Sequence, residues 1–286
     1  RCSTLVRFSP RFGRYRDVSR QVMELFGKVT PLVEPLSLDE AYLDISDQVN
    51  PGVDEAERQA RLLKARVRVE TGLAVTIGGG TSKAVAKIAS QVAKPDGLLM
   101  VRPGGEQSFL APLDIGMLWG VGPKTAAMLQ KHGIRTIGEL AARDEKWLET
   151  TLGKRGPELR TSAMGLDARE VTPHRETKSI SAETTLLQDV EEEAALTQEL
   201  EKLARHVAER LDRAALRGKT VYIKLRLADF TTFTRQITLP APTSDGEVIY
   251  ETARTLLLRE TGQGRLFRLV GLGVSNFREL PQLALL

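Results

Sequence analysis

From Tyr15 to Val29 apolar side chains return at Val18, Val22, Leu25 and Phe26, the spacing of one helical face. Leu32 to Pro35 then reads as a short strand. Ala41, Leu43 and Ile45 alternate with Tyr42 and Asp44, which predicts a second strand. Paired as an antiparallel hairpin, the two would hold Asp39 and Glu40 near their junction. Asp54 and Glu57 have capping-box spacing and predict a helix to about Glu70. "LAVTIG" is a compact strand, "GGG" breaks it, and Thr81 or Ser82 caps a helix through Ala93. "KPDG" turns the chain into a strand at "LLMV". This alternation predicts an α/β or α+β sheet domain with helices on one face.

After Pro103 strand signals vanish and short helices dominate to about Leu166, followed by the polar, linker-like "DAREVTPHRETK". Strands return from Lys178. Asp189 and Glu192 suggest a second capping box, ahead of a long helix with Leu196, Leu200, Leu203, Val207 and Leu211 on one face. Val221, Ile223, Leu225 and Leu227 alternate with Tyr222, Lys224 and Arg226, and "DFTTFTRQITL" supplies the next strand. A helix from about Gly246 to Thr261 and a strand over "LFRLVGLGV" complete a β-α-β-β-α-β order, with one sheet face under helices and the other wet.

Composition adds limits. The 286 residues suffice for two or three domains, and 41% apolar with 27% charged residues is ordinary for a soluble protein. No apolar run is long enough for a bilayer, and no secretory segment opens the chain. The single Cys2 excludes an internal disulfide framework, and His132, His174 and His206 lack metal-ligand spacing. A net charge of +4 suits a polyanionic partner. Because the chain starts on Arg1 rather than Met, an upstream segment is expected.

Four stretches carry candidate chemistry. In "LWGVGPKTAAMLQKHGIRTIGELA", Gly120 and Gly122 permit a tight turn, Pro123 opens a helix, Gly133 ends it, and Thr136 with Glu139 caps another. This is a helix–hairpin–helix pattern, whose exposed backbone N–H groups can hold a phosphate without reading a base, with Lys124 adding charge. "LGKRGPELR" is either a second phosphate contact or a simple helix stop. Lys224, Arg226, Thr232, Thr234 and Arg235 fall on adjacent strands that suit a nucleic-acid-facing sheet. Arg235 shares parity with Phe233, so it reaches that face only through a bulge. Adjacent acids such as Asp39 and Glu40 are poor strand formers and repel each other unless a cation intervenes. "GGGTSKAVAKIAS" lacks the spacing of a dinucleotide or P-loop turn. Of Lys83, Lys87 and Lys94, the last is the first choice to neutralise a triphosphate facing those acids.

Together, "SLDEAYLDIS", "TIGGGTSKAVAKIASQVAKPDG", "GVGPKTAAMLQKHGI", "KSISAETTL" and "TTFTR" resemble, in order, the motifs of the Y-family lesion-bypass DNA polymerases, most of all the bacterial polymerase IV group. The resemblance runs from about Phe12 to the last residue. It implies an α+β multidomain fold: a partial palm at 1–103, a helix–hairpin–helix thumb at 104–167, a linker at 168–177, a β-α-β-β-α-β little finger at 178–279 and a tail at 280–286. By the same resemblance Asp39 bridges two Mg²⁺ ions and Glu40 holds the one nearer the primer, Ser37 and Tyr42 support the motif or line the nucleotide site, and Lys94 contacts the triphosphate of the incoming dNTP. Primer–template DNA meets Gly120, Gly122, Lys124, Lys178, Lys224, Arg226, Thr232, Thr234 and Arg235. Gln282, Leu283, Leu285 and Leu286 resemble a sliding-clamp motif.

The implied activity is template-directed, error-prone translesion DNA synthesis by a cytoplasmic, monomeric bacterial enzyme with no membrane partner. The family's third metal aspartate, fingers and aromatic gate are expected upstream of Arg1, so little primer extension is expected from these residues alone. The alternatives are a non-catalytic DNA- and clamp-binding remnant, and a nuclease or structure-specific DNA-binding protein that uses the helical hairpin.

Overall fold

The computed structural model describes residues 4–6, 8–47, 52–174, 176–262 and 264–278. It divides into two compact units, residues 1–175 and 176–286. Among the described residues no helix is long and apolar enough to cross a membrane.

The first unit opens with α1 (Phe12–Gly27), which buries Val22 and Leu25 against Leu63 and Val67 of α2 (Val53–Thr71). Between them lie β1 (Val33–Pro35) and β2 (Ala41–Leu43), antiparallel with Glu34 opposite Tyr42. β3 (Ile77–Gly79) and β4 (Leu98–Met100) run parallel, joined by α3 (Lys83–Val92). The expected "LAVTIG" strand thus shrinks to three residues, and Gly78 and Gly79 belong to it rather than break it. A Cβ at Gly78 would run into the Ser90 amide, so this glycine lets α3 lie directly on the strand.

The expected capping box at Asp54 and Glu57 does not form. Gly52 precedes the helix without a side-chain cap bond, and Asp54 instead accepts from Arg102 at 2.8 Å while Glu57 pairs with Arg61. Ser82 does cap α3, accepting from the Val85 amide at 3.4 Å.

Helices follow: α4 (Glu106–Leu110), a 3-10 turn at Ile115–Met117, α5 (Pro123–Lys131), α6 (Ile137–Ala141), α7 (Glu145–Leu152) and α8 (Arg155–Ala163). Val85, Ile88 and Ala89 of α3 share one apolar core with Leu110, Ile115, Leu118, Leu129, Ile137, Leu140 and Leu148. The expected boundary at residue 103 therefore lies inside one continuously packed unit. Gly156 lets α8 close on α7, for a Cβ there would strike the Leu148 carbonyl. Because the obstacle is backbone, Gly156→Ala is expected to cost about 1–3 kcal/mol, read as a lower thermal midpoint of the chain.

The polar stretch after α8, read as a linker, is bonded to the first unit. The Gly165 carbonyl accepts from Ser82, Asp167 accepts from the Ala84 amide at 3.1 Å, and the Thr172 amide donates to Glu34 at 2.9 Å. Arg169 grips Asp167 with two 2.7 Å bonds and lies 4.9 Å from the centre of the Trp119 ring. These bonds hold the Asp167 carboxyl below the usual carboxylate range, the Arg169 hydrogen bond first among the causes.

In the second unit β5 (Ser179–Val190), α9 (Glu193–Arg213), β6 (Arg217–Leu227), β7 (Thr232–Thr243), α10 (Gly246–Leu258) and β8 (Phe267–Arg278) follow the expected β-α-β-β-α-β order. The antiparallel sheet has strand order β5-β8-β6-β7. All five apolar positions expected of α9 are buried, and they pack with Val221, Ile223, Leu225 and the buried side of α10. The proposed Asp189–Glu192 capping box is absent. β5 runs on to Val190, and Asp189 pairs with Arg268 at 3.3 Å.

Candidate active site and nucleic-acid interface

Residues 36–40 form the loop between β1 and β2, closed where the Leu36 amide donates to the Glu40 carbonyl at 2.8 Å. Ser37 Oγ donates to Asp39 Oδ1 at 2.6 Å and accepts from the Asp39 amide at 3.3 Å. The serine therefore sets the rotamer of an exposed carboxylate. Glu40, also exposed, accepts from Lys87 Nζ at 2.8 Å.

One turn earlier on α3, Lys83 is ion-paired with Glu34, and the two side chains are only 9% and 3% exposed. Lys83 Nζ also lies 5.5 Å from the centre of the Tyr42 ring. Burial pushes the Tyr42 phenol up to about 12, against the opposing pull of Arg169.

The structure thus distinguishes the three lysines, of which the sequence favoured Lys94 for the triphosphate. Lys83 is spent on a buried structural pair, Lys87 pairs with the candidate metal ligand Glu40, and Lys94 is exposed with no ion pair among the described residues. Lys94 sits in a turn held to α2 through Asp96, which accepts from Lys64 at 2.7 Å and Arg68 at 2.9 Å. Those contacts, the Lys64 hydrogen bond first, hold the Asp96 carboxyl below its usual range.

Two adjacent, solvent-open carboxylates, one oriented by a serine and one already beside a cationic group, fit a hard divalent ion such as Mg²⁺. They are a partial donor set. Among the described residues there is no group of three or more His, Cys, Asp or Glu side chains arranged for a metal.

In the helical part of this unit, Gly120 has φ +93°, a backbone region that favours glycine, whereas Gly122 is extended at φ −81° and precedes α5 with Pro123 as its first residue. Gly122, Pro123 and Lys124 are exposed, and a Cβ at Gly122 would meet nothing within 4 Å. The backbone there stands open beside a helix start whose first amides have no intrahelical partner. Gly133 ends α5 at φ +75°, and Thr136 and Glu139 form the expected capping box. In the weaker companion motif, Arg155 turns inward to the Gly120 carbonyl at 3.2 Å, so it braces the first turn from behind.

The wet face of the second unit's sheet reads in rows. Ser181, Gly273, Tyr222 and Gln236 are in register; next come Glu183, Gly271, Lys224 and Thr234; then Thr185, Leu269, Arg226 and Thr232. Lys224 donates to Glu183 at 2.8 Å and Arg226 to the Thr232 hydroxyl at 2.9 Å. Lys178 is exposed just before β5.

Arg235 is not on this face. The β6–β7 register holds without a shift from Arg226–Thr232 to Thr220–Thr238, which puts Arg235 opposite Ile223 on the helix-covered side. It bonds there to the largely buried Glu260 at 2.6 Å and lies over the Phe233 ring. The bulge needed to bring it round does not occur between those pairs. Tyr222 joins the face as its alternation with Lys224 and Arg226 implied, and Glu183 joins it unannounced, although the alternation in "SISAETT" is a usable signal for it.

The Asp39–Glu40 loop, the helical hairpin and the wet sheet face all fall in regions with known relatives. Residues 1–91 match the impB/mucB/samB family, residues 103–134 its helix–hairpin–helix motif, and residues 177–285 its C-terminal domain. The chain is 42% identical over 278 residues to the DNA polymerase IV of Streptomyces coelicolor, covering 96% of this chain and 57% of that protein. It is 39% identical to the DNA polymerase IV of Caulobacter vibrioides, covering 96% of this chain and 68% of that protein. Among solved structures, a Y-family DNA polymerase chimera of Dbh and Dpo4 matches with TM-score 0.82 at 25% identity, over 93% of this chain and 77% of the chimera.

Proposed function

This chain belongs to the Y-family DNA polymerases, in the DNA polymerase IV group, and we propose that it carries the catalytic carboxylates and the DNA-gripping surfaces of a template-directed translesion polymerase. The observation that carries this reading is the Asp39–Glu40 pair, exposed on a short loop, with Ser37 aiming one carboxylate and Lys87 beside the other. Mg²⁺ held there would lower the pKa of a primer 3′-hydroxyl and hold the charge that develops as pyrophosphate leaves. The chain's own part is to present Asp39 in a fixed rotamer and to balance Glu40 with Lys87. Lys94, exposed in its turn, is the proposed contact for the triphosphate of an incoming dNTP, and Tyr42, with its pKa near 12, would meet it as a neutral phenol at working pH.

DNA is gripped through phosphates: at the open backbone of Gly120 and Gly122 with Lys124, and on the sheet face with Lys178, Lys224, Arg226, Thr232 and Thr234. Arg235 contributes by holding the sheet edge to Glu260. The tail residues Gln282, Leu283, Leu285 and Leu286, which lie outside the described residues, are proposed to dock on a sliding clamp. A bacterial cytoplasm is the proposed place of work.

A second reading, DNA and clamp binding without catalysis by these residues alone, draws on the absence of a three-acid metal group among the described residues. Mg²⁺-dependent extension of a primer past a lesion separates the two. The grip itself is tested by titrating this chain with labelled primer–template at several salt concentrations. Arg226→Ala is expected to weaken binding by a similar factor on unrelated sequences and to reduce the log–log salt slope by about 0.9. Sequence-dependent losses would overturn the phosphate assignment.

A further inference from the structure

The wet sheet face carries two glycines at its centre. Two β8 glycines, Gly271 and Gly273, occupy positions where alternation would raise side chains, and side chains from the flanking strands lie across them. The Tyr222 ring covers Gly273, and the Lys224–Glu183 ion pair bridges Gly271. A Cβ at Gly271 would sit 3.0 Å from the Glu183 Cβ and 3.4 Å from the Lys224 Cβ, so the glycine is what lets the pair close over the central strand.

Of the two cations in these three in-register rows, Arg226 is held by a neutral hydroxyl and Lys224 by a carboxylate. Glu183 is the single acid in the three in-register rows described for the face. We infer that Glu183 is an internal competitor for Lys224: its carboxylate stands where a DNA phosphate would bind, and it limits how tightly this face grips the duplex.

The inference rests on the reading of this face as a DNA surface. The pair is well suited to exchange, because its side chains are 51% and 33% exposed and pairs so wet are weak. A phosphate approaching Lys224 must displace Glu183 and then remain within its repulsive field, since screening at ordinary salt extends over roughly 10 Å. A polymerase that must advance along any sequence gains from a grip of this kind, strong enough to hold and quick to exchange.

The test is Glu183→Gln in this chain, which keeps the side chain's shape and removes its charge. Binding to labelled duplex at low salt is expected to tighten by about 3- to 10-fold, with a salt slope steeper by up to about 0.9 as Lys224 gains a phosphate. Glu201→Gln on the exposed side of α9 makes the same change in net charge away from the face and is expected to leave binding within twofold, roughly the size of a remote, screened effect. In a Lys224→Ala background the gain from Glu183→Gln is expected to shrink by more than half. Unchanged or weaker binding by Glu183→Gln overturns the inference, as does an equal gain from Glu201→Gln or an undiminished gain without Lys224. Arg226→Ala distinguishes the two levels. If it weakens binding while Glu183→Gln does not strengthen it, the competitor idea alone fails; if neither variant matters, the DNA reading of the face fails with it.

Discussion

Glu34→Met is expected to destabilise the first unit by about 3–5 kcal/mol, the usual result of removing one partner of a buried ion pair. Glu34 and Lys83 are 3% and 9% exposed, so the ammonium left behind cannot recover its hydration without local opening. For a unit of this size the loss corresponds to a fall in thermal midpoint of roughly 6–20 °C. Lys83→Met added to Glu34→Met is expected to restore more than half of it, because two apolar groups of similar volume then face each other. The damage has a predicted location. Glu34 also accepts from the Thr172 amide, and the segment it fastens is bound to α3 through Gly165 and Asp167. Trypsin should therefore cut after Arg169 faster in Glu34→Met than in the parent. A midpoint within about 2 °C of the parent, well below the expected range, would show that the pair contributes specificity rather than stability.

None of that pair could be found from the sequence. "VEP" looks like any strand with a polar position, and its partners, Lys83 and the Thr172 amide, lie 49 and 138 residues away. What could be read was whatever repeats with a local period. The Leu196–Leu211 stripe and the Val221–Leu227 alternation gave the second unit its elements in order, because each period maps onto one face packed in one core. The same logic identified Arg235 as the wrong parity for the wet face, and only the unshifted register could show that no bulge rescues it.

Capping boxes show where local rules stop. Thr136–Glu139 forms one, while Asp54–Glu57 and Asp189–Glu192 have the same spacing and do not. The acids at Asp54 and Asp189 are drawn off by Arg102 and Arg268, distant partners that spacing cannot reveal. Glycine was likewise ambiguous. Gly78 looked like a strand breaker and is a contact point for α3. At the candidate site, the sequence singled out the carboxylates as candidates, and the family resemblance added Ser37, which contacts Asp39. It could not say which lysine stands beside Glu40 and which is buried, since Lys83 and Lys87 share a helix face one turn apart.

Asp39→Asn is expected to abolish polymerisation while sparing DNA binding. The comparison is best made in a protein of the full length of its DNA polymerase IV relatives, since this chain covers 57% of the Streptomyces coelicolor protein. In that setting Asn keeps the size and the Ser37 contact but removes the charge that would hold Mg²⁺. If the carboxylate supplies about 4–5 kcal/mol of transition-state stabilisation, extension rates fall by about 10³- to 10⁴-fold. Ser37→Ala should fall far less, about tenfold, because it loses one orienting hydrogen bond and no charge. Duplex affinity should change less than twofold in both variants, roughly the effect expected away from the phosphate-binding cations. The ordering is the informative part: a collapse in rate for Asp39→Asn, a modest loss for Ser37→Ala and intact binding for both describe a carboxylate that acts on the reaction. Parent-like extension by Asp39→Asn would place the chemistry elsewhere, and a parallel loss of binding would mean that the loop serves the fold of the first unit rather than catalysis.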